Sequence, residues 1–92
     1  MGLLSGYRVL DLSTEMGAFC GKVLCDLGLE VIKIEPPGGD PLRAWTASDQ
    51  TLPEGESGAL FQFLNASKRS IVLDLEEPAG RDEFLELAAR AD

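Results

Sequence analysis

No histidine occurs in these 92 residues, and eight cationic side chains face sixteen acidic ones for a net charge of −8. Without histidine, a Ser-His or Cys-His nucleophile cannot be assembled within this chain. The acidic balance repels polyphosphate backbones, and no basic stripe with interleaved aromatics offsets it, so no nucleic acid partner is expected. Cysteine is scarce: Cys20 and Cys25 fit neither CxxC nor a metal spacing. On one helix they would point about 140° apart, too divergent to bridge. They read as small apolar groups in a reducing compartment, and no metal is expected. No apolar run approaches the roughly 20 residues that cross a bilayer, so no membrane partner is expected. The start, MGLLSGYRVLDLS, has neither a basic n-region nor a long apolar h-region, which predicts a cytoplasmic chain without a secretory signal. GxGxxG and GxxxxGK[ST] are both missing, which argues against a nicotinamide or ATP site.

What is present is an ordinary soluble composition, 45% hydrophobic and 26% charged, enough for one small domain or part of a larger one. Tyr7–Ser13 reads as a strand bounded by Gly6 and the Ser13-Thr14 pair. Phe19, Cys20, Val23, Leu24 and Leu27 recur at helical spacing, with Gly28 as the stop. LEVIKIE then reads as a mostly buried strand, so the first three elements form a βαβ unit with parallel strands. From Pro36 to about Glu56 the chain is loop-like and holds four of the five prolines. Leu60, Phe61 and Leu64 predict a short helix within 57–67, and RSIVLDL a third strand. The last helix starts near Pro78 and runs to about Ala91, with Phe84, Leu85, Leu87, Ala88 and Ala91 on its apolar face. The order β-α-β-α-β-α predicts an α/β fold: strands near Arg8–Leu12, Glu30–Glu35 and Ser70–Leu75, helices near Gly17–Leu27 and Pro78–Ala91. Three strands are few for a parallel sheet, and a further strand is expected after the last helix, so the chain reads as truncated.

Ligands in open parallel sheets settle at the carboxyl ends of strands. Ser13–Gly17 offers two hydroxyls and a glycine for close backbone approach, or else an N-cap with a tight turn. PPGGD is either a rigid turn or a lip of the site. Lys68 and Arg69, two adjacent cations in an acidic chain, meet an anion or a carboxylate partner, or lie in a solvated loop. Asp11 faces the sheet end or caps a neighbour; Asp74, Glu76 and Glu77 suit a helix N-terminus.

Four segments together, LSGYRVLDLS, GAFCGKVLCDLGLEVIKIEPPGGDPLR, FLNASKRSIVLDL and GRDEFLELAARAD, resemble the family III CoA transferases. This CaiB/BaiF family includes formyl-CoA transferase, carnitine CoA-transferases and alpha-methylacyl-CoA racemase. The likeness covers nearly the whole chain in the family's order and spacing. It implies that residues 1–92 are the N-terminal segment of a Rossmann-like domain with an incomplete parallel sheet and flanking helices. By position, coenzyme A contacts are expected at Glu15, Met16 and Gly17, at Pro36, and at Leu73, Asp74, Leu75 and Glu76. Formyl-CoA transferase has a cation where this chain has Pro36, and a Lys is common at the place of Glu76. Charge for the CoA phosphates is then expected from Lys68, Arg69 or Arg43. In such transferases an aspartate attacks the acyl-CoA thioester to give a mixed anhydride. An aspartyl-CoA thioester follows, and CoA passes to an acceptor carboxylic acid. The resemblance implies that this aspartate lies beyond Asp92, so no catalytic residue is expected within the chain and the piece alone is expected to be inactive. Interlocked homodimers are implied for full-length members. A racemase or isomerase of the same family, using Asp and His, and a non-catalytic CoA- or nucleotide-binding module are the alternatives.

Overall fold

In a computed structural model, which describes residues 3–46 and 51–92, the chain alternates strands and helices in the expected order. The strands are β1 (Arg8–Asp11), β2 (Glu30–Glu35) and β3 (Arg69–Val72). Between them lie α1 (Ala18–Asp26), a 3₁₀ turn (Pro41–Ala44) and α2 (Ala59–Asn65), and α3 (Pro78–Ala89) closes the chain. Part of the expected loop, residues 47–50, lies outside the described residues. Both strand pairings are parallel, in the order β1-β2-β3, with Leu10 opposite Ile32 and Ile34 opposite Ile71.

Two local devices set the first crossover. Gly28 adopts φ +103, and the Gly28 and Leu29 N–H groups bond back to Cys25 and Leu24 carbonyls. That pair of bonds is a Schellman stop, and the positive φ is why a glycine stands there. At the other end β1 finishes at Asp11, one residue earlier than expected, because the Asp11 carboxylate accepts from the Ser13 N–H and turns the chain. The third strand likewise ends at Val72 rather than Leu75. There the 74–77 segment turns on itself through the Glu76 N–H to Asp74 Oδ1 and the Glu77 N–H to the Asp74 carbonyl.

The sheet carries two unlike faces. Ile32, Ile34 and Leu73 form one apolar layer, on which Phe84 and Leu87 of α3 pack. Strand alternation sends Val31, Lys33 and Glu35 to the other face, and all three are fully buried. A second apolar cluster, Ala18, Leu42 and Phe61 with Leu64, joins α1, the 3₁₀ turn and α2 on that side. The face of α1 that is buried is its small one, Ala18 and Gly21. Phe19 and Val23 from the expected apolar stripe remain 59% and 40% exposed. Gly21 is small because α1 rides on a buried ion pair: a Cβ there would stand 2.7 Å from Asp11 Oδ2 and 2.8 Å from Lys68 Nζ. After α3 the chain returns to the outer edge of β1, where the Asp92 N–H donates to the Arg8 carbonyl at 2.8 Å.

Candidate functional site

The carboxyl ends of the three strands open on a cleft of about 580 Å³. Leu12 and Thr14 line it from the first loop, residues 34–37 from the end of β2, and residues 73–76 from the end of β3. Five of the sequence-predicted contacts therefore share one wall system: Pro36, Leu73, Asp74, Leu75 and Glu76. The other five do not line it. Glu15 and Met16 are exposed on the first turn, Met16 by 93%. Gly17 borders a separate groove of about 310 Å³ along the open edge of β1, together with Cys20 and Gly21. A Cβ on Gly17 would stand 2.6 Å from Ser13 Cβ, so the small residue there accommodates Ser13 itself.

Lys68 and Arg69 part company. The Lys68 side chain is 1% exposed, and its ammonium donates to Asp11 Oδ2 (2.8 Å), the Ala18 carbonyl (3.0 Å) and Asn65 Oδ1 (2.8 Å). Three acceptors occupy its three donors. Arg69 opens β3 at the amino end of the sheet, away from the cleft, 3.4 Å from Glu30. Arg43 is also engaged: Nε and Nη2 each lie 2.6 Å from a Glu35 oxygen, and its guanidinium sits 4.1 Å from the centre of the Phe61 ring. All three cations expected to serve phosphates thus have carboxylate partners within the chain.

Charge that the composition does not reveal lies beneath the cleft. Glu35 accepts from both Arg43 nitrogens, from the Ser70 hydroxyl and from the Asp40 N–H. The Arg43 bonds, aided by Ser70 and Asp40 and opposed by burial, hold the Glu35 carboxyl down to about 2. Arg43 is correspondingly raised by the Glu35 bond. Burial pushes Asp11 up, but hydrogen bonds from Lys68 and Ser13 outweigh it and leave its carboxyl below the ordinary value. Lys33 Nζ donates to the Ser13 carbonyl at 2.9 Å and makes an ion contact with Asp40 Oδ2 at 2.7 Å, off the hydrogen-bond direction. Asp40 Oδ1 accepts the Leu42 N–H and starts the 3₁₀ turn, whose Pro41 fits a first helical position. Positive φ at Gly38 and Gly39 lets the chain double back so that Asp40 reaches Glu35.

Three carboxylates (Asp11, Glu35, Asp40) and three cations (Lys33, Arg43, Lys68) therefore neutralise one another between sheet and helices. Asp11 was legible as a cap, and it does cap Ser13; the sequence pattern did not mark Lys33 and Glu35 as buried charges. The available signal was EVIKIE itself, where Lys33 and Glu35 alternate with Ile32 and Ile34 in a strand both of whose faces are covered. Among the described residues no cation lines the cleft, whereas Asp74, Glu76 and Glu35 of its lining are acidic. Among the described residues no group of three or more His, Cys, Asp or Glu side chains forms a metal cluster.

The architecture has close counterparts. Residues 4–92 match the pattern of CoA-transferase family III. The chain belongs to that family. It is 42% identical over 93 residues to the succinyl-CoA:mesaconate CoA-transferase of Haloarcula hispanica, covering 100% of this chain and 24% of that protein. Against the succinyl-CoA:(R)-benzylsuccinate CoA-transferase subunit BbsE of Thauera aromatica it is 38% identical over 88 residues, or 96% of this chain and 22% of that one. A crystal structure of a CaiB/BaiF family protein from Brucella suis superposes with a TM-score of 0.87 at 41% identity, covering 99% of this chain and 24% of that one. This family III segment thus spans about a quarter of the length of the relatives it matches. The parallel three-stranded sheet with flanking helices corresponds to the N-terminal part of those structures.

Proposed function

We propose that this segment supplies one wall of the coenzyme A site in an enzyme that moves CoA from an acyl-CoA to a carboxylic acid. The carrying observation is the cleft: Pro36 and residues 73–76, where the family's CoA contacts fall by position, line one cavity at the carboxyl end of the sheet. Relatives named as succinyl-CoA:mesaconate and succinyl-CoA:(R)-benzylsuccinate CoA-transferases support the reaction class. The wall offers apolar surface from Leu12, Ile34, Leu73 and Leu75, together with acidic groups. Such a wall suits the uncharged parts of CoA, and the phosphates take their counter-charge elsewhere in the full chain. The family resemblance implies that the nucleophilic aspartate lies beyond Asp92, and the buried carboxylates among the described residues, Asp11, Glu35 and Asp40, are each committed to a cation of the fold. The test is to incubate the full chain with succinyl-CoA and a panel of carboxylates and to follow new CoA thioesters by mass spectrometry. CoA transfer is expected. Racemisation of a 2-methylacyl-CoA without transfer would replace this reading with the isomerase one.

A further inference from the structure

We propose that Lys33 is a positioning residue that sets the distance between the two loops flanking the mouth of the cleft. Its side chain is 1% exposed, in the middle of β2, and reaches two loops at once. One contact is the Ser13 carbonyl at 2.9 Å, between cleft residues Leu12 and Thr14. The other is Asp40 Oδ2 at 2.7 Å, at the close of the loop that begins with cleft residues Pro36 and Pro37. Each anchor is itself rigid: the Ser13 N–H is held by Asp11 Oδ1 at 2.8 Å, and the Asp40 N–H by Glu35 Oε1 at 2.8 Å. The ammonium is thus a strut between two tethered points. Stability alone does not call for a lysine here, since a well-packed apolar residue opposite a neutral partner is often as good as a buried ion pair or better. A methionine, however, would touch both loops without bonding to either.

Loop spacing follows from this geometry, and its consequence for affinity rests on the reading of the cleft as a CoA site. The experiment uses the full chain with Lys33→Met/Asp40→Asn, which removes the strut but leaves no unpaired buried charge and keeps a side-chain amide oxygen to accept the Leu42 N–H. Asp40→Asn alone retains the Lys33 bond to Ser13 but leaves the ammonium without its counter-charge, and so separates loss of one anchor from loss of both. Amide exchange is measured over residues 12–17 and at Gly38, Gly39 and residue 40, along with CoA affinity by calorimetry and the thermal midpoint. The expected result for the double variant is a midpoint near the wild-type value, at least tenfold faster exchange in both loops together, and at least tenfold weaker CoA binding. Asp40→Asn should lower the midpoint and speed exchange at Gly38, Gly39 and residue 40, while residues 12–17, still held by Lys33, stay within about threefold of wild type. If the double variant does not fold, Lys33→Gln/Asp40→Asn, which is also free of unpaired charge and whose shorter donor spans one partner only, is read by the same exchange measurement. Unchanged exchange in the two loops overturns the proposal. Faster exchange with unchanged affinity confines Lys33 to a structural role and overturns its link to the site. Absence of CoA binding by the wild type overturns the functional reading instead, and the exchange result still decides the strut.

Discussion

Glu35 accepts four hydrogen bonds from three residues, and its depressed carboxyl makes a stability prediction with a definite sign. The folded state holds this proton less tightly than the unfolded chain does. Its contribution is therefore fully present above the ordinary value of 4.5 and is lost as pH falls from there toward about 2. The full shift corresponds to about 3 kcal/mol at most, discounted because the Arg43 side chain is 38% exposed and partly screened. Glu35→Gln should lower stability at pH 7 by about 2–3 kcal/mol and flatten the acid limb of a urea-midpoint series taken between pH 5 and pH 2. An acid limb identical to wild type would show that another carboxylate governs it. Gly21 gives a second prediction at this scale. Alanine would gain about 1 kcal/mol of helix propensity, but its methyl would press into the buried Asp11–Lys68 pair. A net loss of about 1–2 kcal/mol is expected in chemical denaturation.

At the scale of elements, spacing located each helix, while packing chose the face it buries. The α3 helix has no fully buried residue, yet Phe84 and Leu87 lie against Ile32, Ile34 and Leu73, while Leu85 is 63% exposed. Phe84→Ala should cost about 2 kcal/mol, below the range for a fully buried phenylalanine, and Leu85→Ser less than about 0.5. Equal losses at the two positions, read from thermal midpoints, would mean that α3 sits on the sheet by a different face. The stop at Gly28 was legible because only glycine reaches that φ without strain. The buried face of α1 was not legible. Its large apolar residues at helical spacing suggested a stripe for the core, whereas the polar layer beneath the helix admits only Ala18 and Gly21.

For the whole molecule, charge and apolar surface are distributed unequally. Among the described residues six of the eight cations are ion-paired, and the cleft presents carboxylates without a cation. Glu76→Lys should therefore tighten CoA binding by the full chain about three- to tenfold at low salt. The gain should shrink toward zero as added salt shortens the Debye length below about 5 Å. A salt-independent change would mean that the introduced ammonium acts by contact rather than through the field. Meanwhile Phe19 and Val23 on α1 and Leu60 and Phe63 on α2 are each at least 40% exposed. Residues 1–92 expressed alone should accordingly self-associate, visible as a concentration-dependent sedimentation coefficient, and show no CoA transfer.

The linear chain determined the alternation of strands and helices, the parallel pairing and the family, because period, Gly and Pro signals and motif order are local properties of sequence. Pro36 and the 73–76 stretch were legible as residues at strand ends. Their convergence on one cleft follows from parallel pairing, which brings the carboxyl ends of all three strands to the same side. Tertiary structure alone decided the fate of the charges. Lys68 looked available for a phosphate in sequence, yet it is drawn 57 residues back along the chain to Asp11. Lys33 and Glu35 became interior groups because covering both faces of the sheet left their alternate positions no route to water. A charge so placed must find its counter-charge within the fold, and which carboxylate stands opposite which cation depends on the crossing of elements far apart in the chain.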